Sequence, residues 1–524
     1  MKNFLLILSV LSLFTSPAFA KVYDLSIARQ KVNITGKEVE KITINGTIPG
    51  PVLRFTEGEE AIINVTNHMK ESTSIHWHGL LLDGSMDGVP GLNGFHGIAP
   101  GTTFAYKFKI RQAGTYWYHS HSNLQEQDGI YGALVIEPKK EVNKFDREFV
   151  ILLSDFSQES ASDILGNLKI DSGYYNYNKR TVVTFFKDIK KNGFANTIKD
   201  YWSWGNMRMD PTDLADVTKY HFLTNGKTPE QNWTGIFKKG ERIKLRFVNA
   251  SAMTIYDISI PDLKMEFVEM DGQLIKPVIA DEFRLGVAET YDVIVTPKED
   301  KAYAIFAQSL DRTGYALGSL APKKGMKAQI PKMRPRTLLT MADMAMDHGK
   351  MDHAAMGHDM GDMNMVKSGW ADASTPKGDK ALQYSQISSL YPQKDLREPT
   401  KEIEFVFGGS MNRYIWTING EKFPKPFTVK YGQRIRLKFT NKTMMAHPIH
   451  LHGMFMQMEN GQPMKWMPNK HTVILAPAQT QTMLLTANES GEWAFHCHLL
   501  YHMASGMMTS VTVGKDNSTK EEVQ

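Results

Sequence analysis

HCHLLYHMASGM, residues 496–507, decides the reading of this chain. It holds Cys497, the single cysteine among 524 residues. The thiol stands between His496 and His498, with His502 five residues on and Met507 ten residues on. Side chains of a strand alternate faces, so His496 and His498 share one face, about 7 Å apart at the backbone, while Cys497 points the other way. A thiolate, two imidazoles and a weak axial thioether make the ligand set of a blue electron-transfer copper. The flanking histidines are then available to a second metal site across the strand. A lone cysteine is more often a small buried apolar residue, but an unpaired thiol in an exported chain needs a reason, and its neighbours are ligands at usable spacing.

Export is read from the first twenty residues: Lys2, an apolar run from Phe4 to Leu13, and the small-residue end Ala18-Phe19-Ala20. This is the pattern of a secretory signal cleaved after Ala20, too short and wrongly flanked for a membrane span. It lacks a twin arginine, so export of an unfolded chain with metal loaded afterwards is expected. No other segment reads as a membrane span. Loss of Lys2 with the signal lowers the net charge from +5 to +4, and the basic residues are not clustered, which argues against a nucleic-acid partner. One cysteine excludes an intramolecular disulfide, so burial of apolar surface has to hold the fold.

Upstream, one pattern occurs three times. Asn45-Gly46 leads to Gly58 and AIINVTN ending at Asn67; Asn225-Gly226 leads to Gly240 and ERIKLRFVN ending at Asn249; Asn419-Gly420 leads to Gly432 and QRIRLKFTN ending at Asn441. Asn-Gly turns between short, alternating, β-branched runs predict an all-β fold of three tandem Greek-key barrels or sandwiches, with little helix. Nine and eleven residues after the repeat asparagine stand His76 and His78 in unit one and His450 and His452 in unit three. The same offsets in unit two give Ile258 and Ile260. Later, Gly114 leads by five residues to His119 and His121, and Gly491 by five to His496 and His498, while the unit-two counterpart AYAIFAQ (302–308) has no histidine.

Strand parity turns these pairs into sites. Each H-x-H offers two imidazoles to one side. Eight such imidazoles suit a three-copper cluster between the outer units, since imidazole favours copper among plausible metals. His447 precedes His450 by three, an odd separation, and is expected to face Cys497. His447, Cys497, His502 and Met507 then form the blue site inside unit three, giving four coppers in all, matched to the four electrons that take O2 to water.

The motifs HWHG (76–79), HSH (119–121), HPIHLHG (447–453) and HCHLLYHMASGM (496–507) resemble the four copper motifs of three-domain multicopper oxidases, in order and complete. LLSDFSQES (152–160), YYNYNKRT (174–181) and MRMDPTDLADV (207–217) extend the resemblance to periplasmic copper-resistance proteins of the CopA/PcoA type, over roughly 40–335 and 395–514. The resemblance implies cupredoxin-like domains. It places His76 and His450 on the type 2 copper, and His78, His119, His121, His452, His496 and His498 on the type 3 pair. It makes Asp87 an acid beside the type 2 copper that helps protonate reduced oxygen; as a bare residue it also fits a turn before Gly88. Many relatives carry an acid after the second type 1 histidine, where this chain has Met503.

The expected layout is a signal peptide (1–20), a first cupredoxin domain (21–142), a ligand-free second (143–335), a Met/His-rich connection (336–394), a third domain with the type 1 copper (395–514) and a tail (515–524). Within the connection, Met341, Met344, Met346, Met351, Met356, Met360, Met363 and Met365 offer soft thioethers suited to Cu(I). A second group, Met444, Met445, Met454, Met456, Met458, Met464 and Met467, surrounds HPIHLHG, divided between core and the approach to His447. His68, His96, His221 and His471 fall outside any motif and read as surface or core residues. The expectation is a periplasmic, monomeric oxidase taking electrons from Cu(I) or a small reductant, reducing O2, and meeting a copper-delivery protein. Alternatives are a laccase-like phenol oxidase and a copper-sequestering protein.

Overall fold

Each Asn-Gly pair of the repeat closes the same tight turn. Asn45, Asn225 and Asn419 take φ of 51°, 50° and 54°, which asparagine tolerates. Each side chain accepts from a backbone N–H across the turn, Ser26 at 2.6 Å, Leu152 at 2.8 Å and Val406 at 2.7 Å. The strand after the repeat glycine pairs in parallel with the first strand of its unit: Glu60–Asn67 with Lys21–Val32, Ile243–Asn249 with Arg147–Phe156, Arg434–Asn441 with Glu402–Ser410. At its end a buried asparagine ties down the next loop. Asn67 Nδ2 donates to the carbonyls of Glu71 and Ile98, Asn249 Nδ2 to Thr254 and Leu285, and Asn441 Nδ2 to Met445 and Leu475. Leaving such a buried carbonyl unpaired costs about 1–3 kcal/mol. The repeated residues are therefore structural, and they fix where each H-x-H begins.

The computed structural model describes residues 20–206, 210–336, 338–340, 375–410 and 413–514. Among these, six sheets form: two of four strands, two of five and two of six. Each repeat unit contributes two sheets, and the chain is all-β in class. Glu60–Asn67 buries alternate residues, the mark of a strand with one face on the core. Gly114–His119 is buried at every residue, because its second face meets the other units.

Contacts between units close a ring. Thr115 joins unit one to unit two by accepting from Thr290 Oγ1 (2.9 Å) and from Arg246 (3.0 Å). Lys470 joins unit three to unit two, lying 3.1 Å from Asp271 and 2.8 Å from Glu289 with all three fully buried. Units one and three meet directly: Asn93 exchanges two bonds with the backbone of Glu492 (2.7 and 2.8 Å), and Arg111 is bidentate on Glu489 (2.9 and 2.7 Å).

Helix is scarce among the described residues, as expected, and most of it is gathered in one insertion. Ala161–Ile170, Val182–Asn192 and Phe194–Asn206 are inserted between the strands Arg147–Phe156 and His221–Thr224. Two of them are capped at their first turn: Ser160 accepts from Asp163 N, and Thr181 and Thr184 form a capping box. In the second of them Val182, Phe185, Phe186 and Ile189 recur at helical spacing, and Phe185 packs on Tyr201 of the third, while Val182, Val183 and Phe186 stay exposed. No helix among the described residues is long and apolar enough to cross a membrane.

Candidate metal centre

Two strands of unit three carry the thiol site. His447–Leu451 and Gly491–Cys497 pair antiparallel with Ile449 opposite Cys497 and His450 opposite His496. His447 Nδ1 lies 3.5 Å and His502 Nδ1 3.9 Å from Cys497 Sγ, and the two Nδ1 atoms are 3.2 Å apart. Both rings turn Nε2 outward, His447 to Thr443 Oγ1 (2.7 Å) and His502 to Asp216 Oδ2 (2.7 Å). Trp416 stacks on His502 at 3.7 Å. Met507 is buried in the same core, and its carbonyl accepts from Cys497 N–H at 3.1 Å. Burial pushes the Cys497 thiol up, so its thiolate needs a cation beside it. Burial also pushes Asp216 up to about 7, opposed by a hydrogen bond from Tyr414.

The eight paired histidines converge between units one and three. In unit one, His76–His78 pairs antiparallel with Gly114–His119, His76 opposite His119. Ligand atoms within 4.8 Å of one another group His76, His450 and His452; His78, His119 and His498; and His121, His452 and His496, every residue buried. His119 and His121 share a motif yet join different trios. Burial first, then repulsion among neighbours, holds His78, His119, His121, His450, His452 and His498 well below the ordinary histidine value. Burial brings His496 down to about 4.

Nitrogen bookkeeping tests whether a cation fits. His452 Nδ1 donates to Asp87 Oδ2 (2.9 Å), and His496 Nδ1 donates to the Cys497 carbonyl (2.9 Å). A neutral imidazole has one N–H, so two lone pairs face each other where the Nε2 atoms lie 3.1 Å apart. Nε2 of His76, His78, His119, His450 and His498 is buried without a hydrogen-bond partner. Buried polar atoms are ordinarily paired, and one kind of group relieves all these positions together: a cation that accepts imidazole lone pairs. Imidazole suits copper, and the adjoining Cys497–His447–His502 group, with its thiol, suits the same metal.

Asp87 follows the short turn Gly84–Met86. Its carbonyl accepts from His76 Nδ1 at 2.8 Å, and its Oδ1 lies 3.2 Å from that nitrogen. Gly88 permits this closeness: its φ is +80°, and a Cβ there would sit 1.8 Å from the Ile75 carbonyl. Asp87 thus touches a histidine of each outer unit. Two further residues at the cluster escaped the sequence reading. Glu126 Oε2 lies 2.7 Å from His119 Nδ1. His471, expected in surface or core, is 1% exposed, and its ring centre is 4.8 Å from His78 and 5.4 Å from His450. Its place beside Lys470, in the bend between Asn469–Lys470 and Thr472–Leu475, is a tertiary fact with no motif to announce it.

His68, His96 and His221 are exposed. Met454, Met456, Met458 and Met467 are buried, Met464 is half-buried, and Met444 packs with Trp204, Leu214 and Leu339. Met445 and Met253 line a small cavity of about 20 Å³ that includes Asp216. Met503 lines a cleft of about 750 Å³ that reaches His121. Met341, Met344, Met346, Met351, Met356, Met360, Met363 and Met365, like the signal segment, lie outside the described residues.

Comparison with known proteins follows the same lines. Family models described as multicopper oxidase match residues 26–141, 194–327 and 397–517. The chain is 45% identical to a copper resistance protein A homolog of Pseudomonas syringae pv. tomato, covering 97% of each. It is 45% identical to copper resistance protein A of Escherichia coli, covering 94% of this chain and 92% of that protein. Among solved structures it resembles Fet3p, a multicopper oxidase that functions in iron import, with a TM-score of 0.70 at 20% identity, covering 94% of this chain and 90% of the other.

Proposed function

The chain belongs to the multicopper oxidase family, in its copper-resistance protein A branch, and from that premise we propose that it oxidises Cu(I) one electron at a time and reduces O2 to water, in periplasmic copper tolerance. The observation that carries this reading is the seat of Cys497. Its side chain faces His447 and His502, while the residues bonded to it in the chain, His496 and His498, belong to two different trios of the cluster.

The reading assigns His447, Cys497, His502 and Met507 to a type 1 site, His76 and His450 to type 2, and the remaining six imidazoles to the type 3 pair, four coppers in all. These would lie in cupredoxin domains 21–142 and 395–514, with 143–335 as the ligand-free middle domain. Bound copper supplies one-electron redox steps and a place for oxygen to be reduced. The chain supplies the rest. The short covalent path from Cys497 Sγ through its backbone to His496 and His498 connects the two sites. Asp216, on His502 Nε2, presents a carboxylate at the donor end, where it attracts a cation. Asp87, bonded to His452 and against His76, holds an acid at the cluster, and the cleft at His121 admits small molecules.

The donor end favours an ion over a phenol. His447 and His502 are fully buried, and the cavity of about 20 Å³ beside Asp216, Met253 and Met445 has room for an ion but not an aromatic ring. Pockets for organic ligands run to about 300–1,000 Å³. Thioethers suit Cu(I), and the eight methionines between Met341 and Met365 are read as its recruiting segment. The test is O2 uptake by the copper-loaded chain with Cu(I) and, separately, a phenol. Uptake with Cu(I) that exceeds the phenol in kcat/KM and vanishes in Cys497→Ser is expected. No uptake with Cu(I), or full turnover in Cys497→Ser, would sink the proposal.

A further inference from the structure

We propose that Glu126 is a second positioning carboxylate of the cluster, holding His119 in the tautomer and orientation that binds metal, as Asp87 holds His452. The inference rests on reading the cluster as a copper site. Glu126 Oε2 lies 2.7 Å from His119 Nδ1, which also lies 3.0 Å from the Ser120 carbonyl. With the ring proton on Nδ1, the lone pair is left on Nε2, and that atom is buried and without a partner. His119 belongs to the trio with His78 and His498, and His452 to the trio with His121 and His496. Each trio of the pair therefore has one imidazole backed by a carboxylate.

Glu126 is not explained as a loop fastener, because its neighbours do that work. Gln125 accepts from Thr73 (2.7 Å) and Ser120 (3.0 Å) and donates to the Ser72 carbonyl (2.8 Å). Gln127 donates to the Asp155 carbonyl (3.1 Å) and accepts from Tyr220 (2.6 Å), and Asp128 accepts from Lys41 (3.0 Å) and Ala161 N (3.1 Å). Glu126 is 3% exposed, touches the imidazole with one oxygen, and leaves Oε1 buried and unpaired. A carboxylate buried at such expense is accounted for by the metal ligand it orients, and partners of this kind typically carry about 10–100-fold in metal affinity or activity.

The test compares copper retention against a chelator, and the EPR-silent share of bound copper, in parent, Glu126→Gln and Glu126→Ala. Glu126→Ala is expected to release cluster copper at about 10–100-fold lower chelator, with part of the silent copper becoming visible and the blue absorbance of the Cys497 site unchanged. Glu126→Gln keeps an acceptor without its charge and should fall between Ala and parent. A purely structural role would lower the urea midpoint of the copper-free chain and leave the silent share intact. Parental retention and parental silent share in Glu126→Gln, or in Glu126→Ala where it folds, would overturn the proposal. A parent with no EPR-silent copper would overturn instead the reading of the cluster beneath it.

Discussion

Acidifying the copper-free protein should reveal His471, because the fold denies it a proton. Burial lowers its value to about 4, Asp271 opposing and Lys470 assisting. In the unfolded chain a histidine titrates near about 6.5. Between those values the unfolded chain binds a proton that the folded chain refuses, so stability falls with falling pH. The penalty is absent above about pH 6.5, grows as the solution is acidified, and is complete below about pH 4. At about 1.4 kcal/mol per pH unit, His471 alone costs about 2 kcal/mol at pH 5 relative to pH 7.5. His471→Asn removes this titration while leaving the other buried histidines in place. Urea unfolding of copper-free parent and variant, followed by tryptophan fluorescence at the two pH values, isolates it. Whatever the substitution costs at pH 7.5, the variant should gain about 2 kcal/mol on the parent at pH 5. The same parent–variant difference at both pH values would refute the reasoning.

Two other outcomes follow from geometry. Gly88→Ala puts a methyl 1.8 Å from the Ile75 carbonyl at φ +80°, so a loss of about 2 kcal/mol or more in urea unfolding is expected, with copper lost from the cluster as Asp87 is displaced; full copper and parental stability would contradict it. Asp216→Asn keeps the shape facing His502 and Tyr414 but removes the charge, and should lower kcat/KM for Cu(I) about tenfold, or about 1.4 kcal/mol, while blue absorbance and the KM for O2 stay near parental.

What was legible in the sequence is what the backbone alone determines. Strand parity sent His447 toward Cys497 and kept His496 and His498 on the other side, and the structure holds Sγ and Nδ1 at 3.5 Å. The repeat asparagines announced three similar units because each performs the same local task. Parity puts the two imidazoles of a pair on one side but does not say which trio each one joins: His119 and His121, like His76 and His78 or His496 and His498, are divided between trios. Glu126, His471 and Asp216 were invisible for another reason. Each reaches its histidine through packing between segments, and no spacing rule encodes that. Asp216 meets His502 across 286 residues of sequence.

That last contact bears on why a unit without H-x-H pairs stands between two that carry them. Unit two gives no histidine to the metal centre, yet it supplies Asp216 behind His502, and Asp271 and Glu289 around the fully buried Lys470. Lys470 precedes His471, whose carbonyl accepts from His450 Nδ1 at 2.8 Å. A buried lysine deprived of its acids would be an unpaired charge, costing about 3–5 kcal/mol. Loss of the contact with unit two would thus shift the bend whose carbonyl orients His450, and would release His502 at the other site. The middle unit acts as the clamp of the centre: its acids, buried against unit three, fix the outward nitrogen of an imidazole at one site and the backbone behind an imidazole at the other.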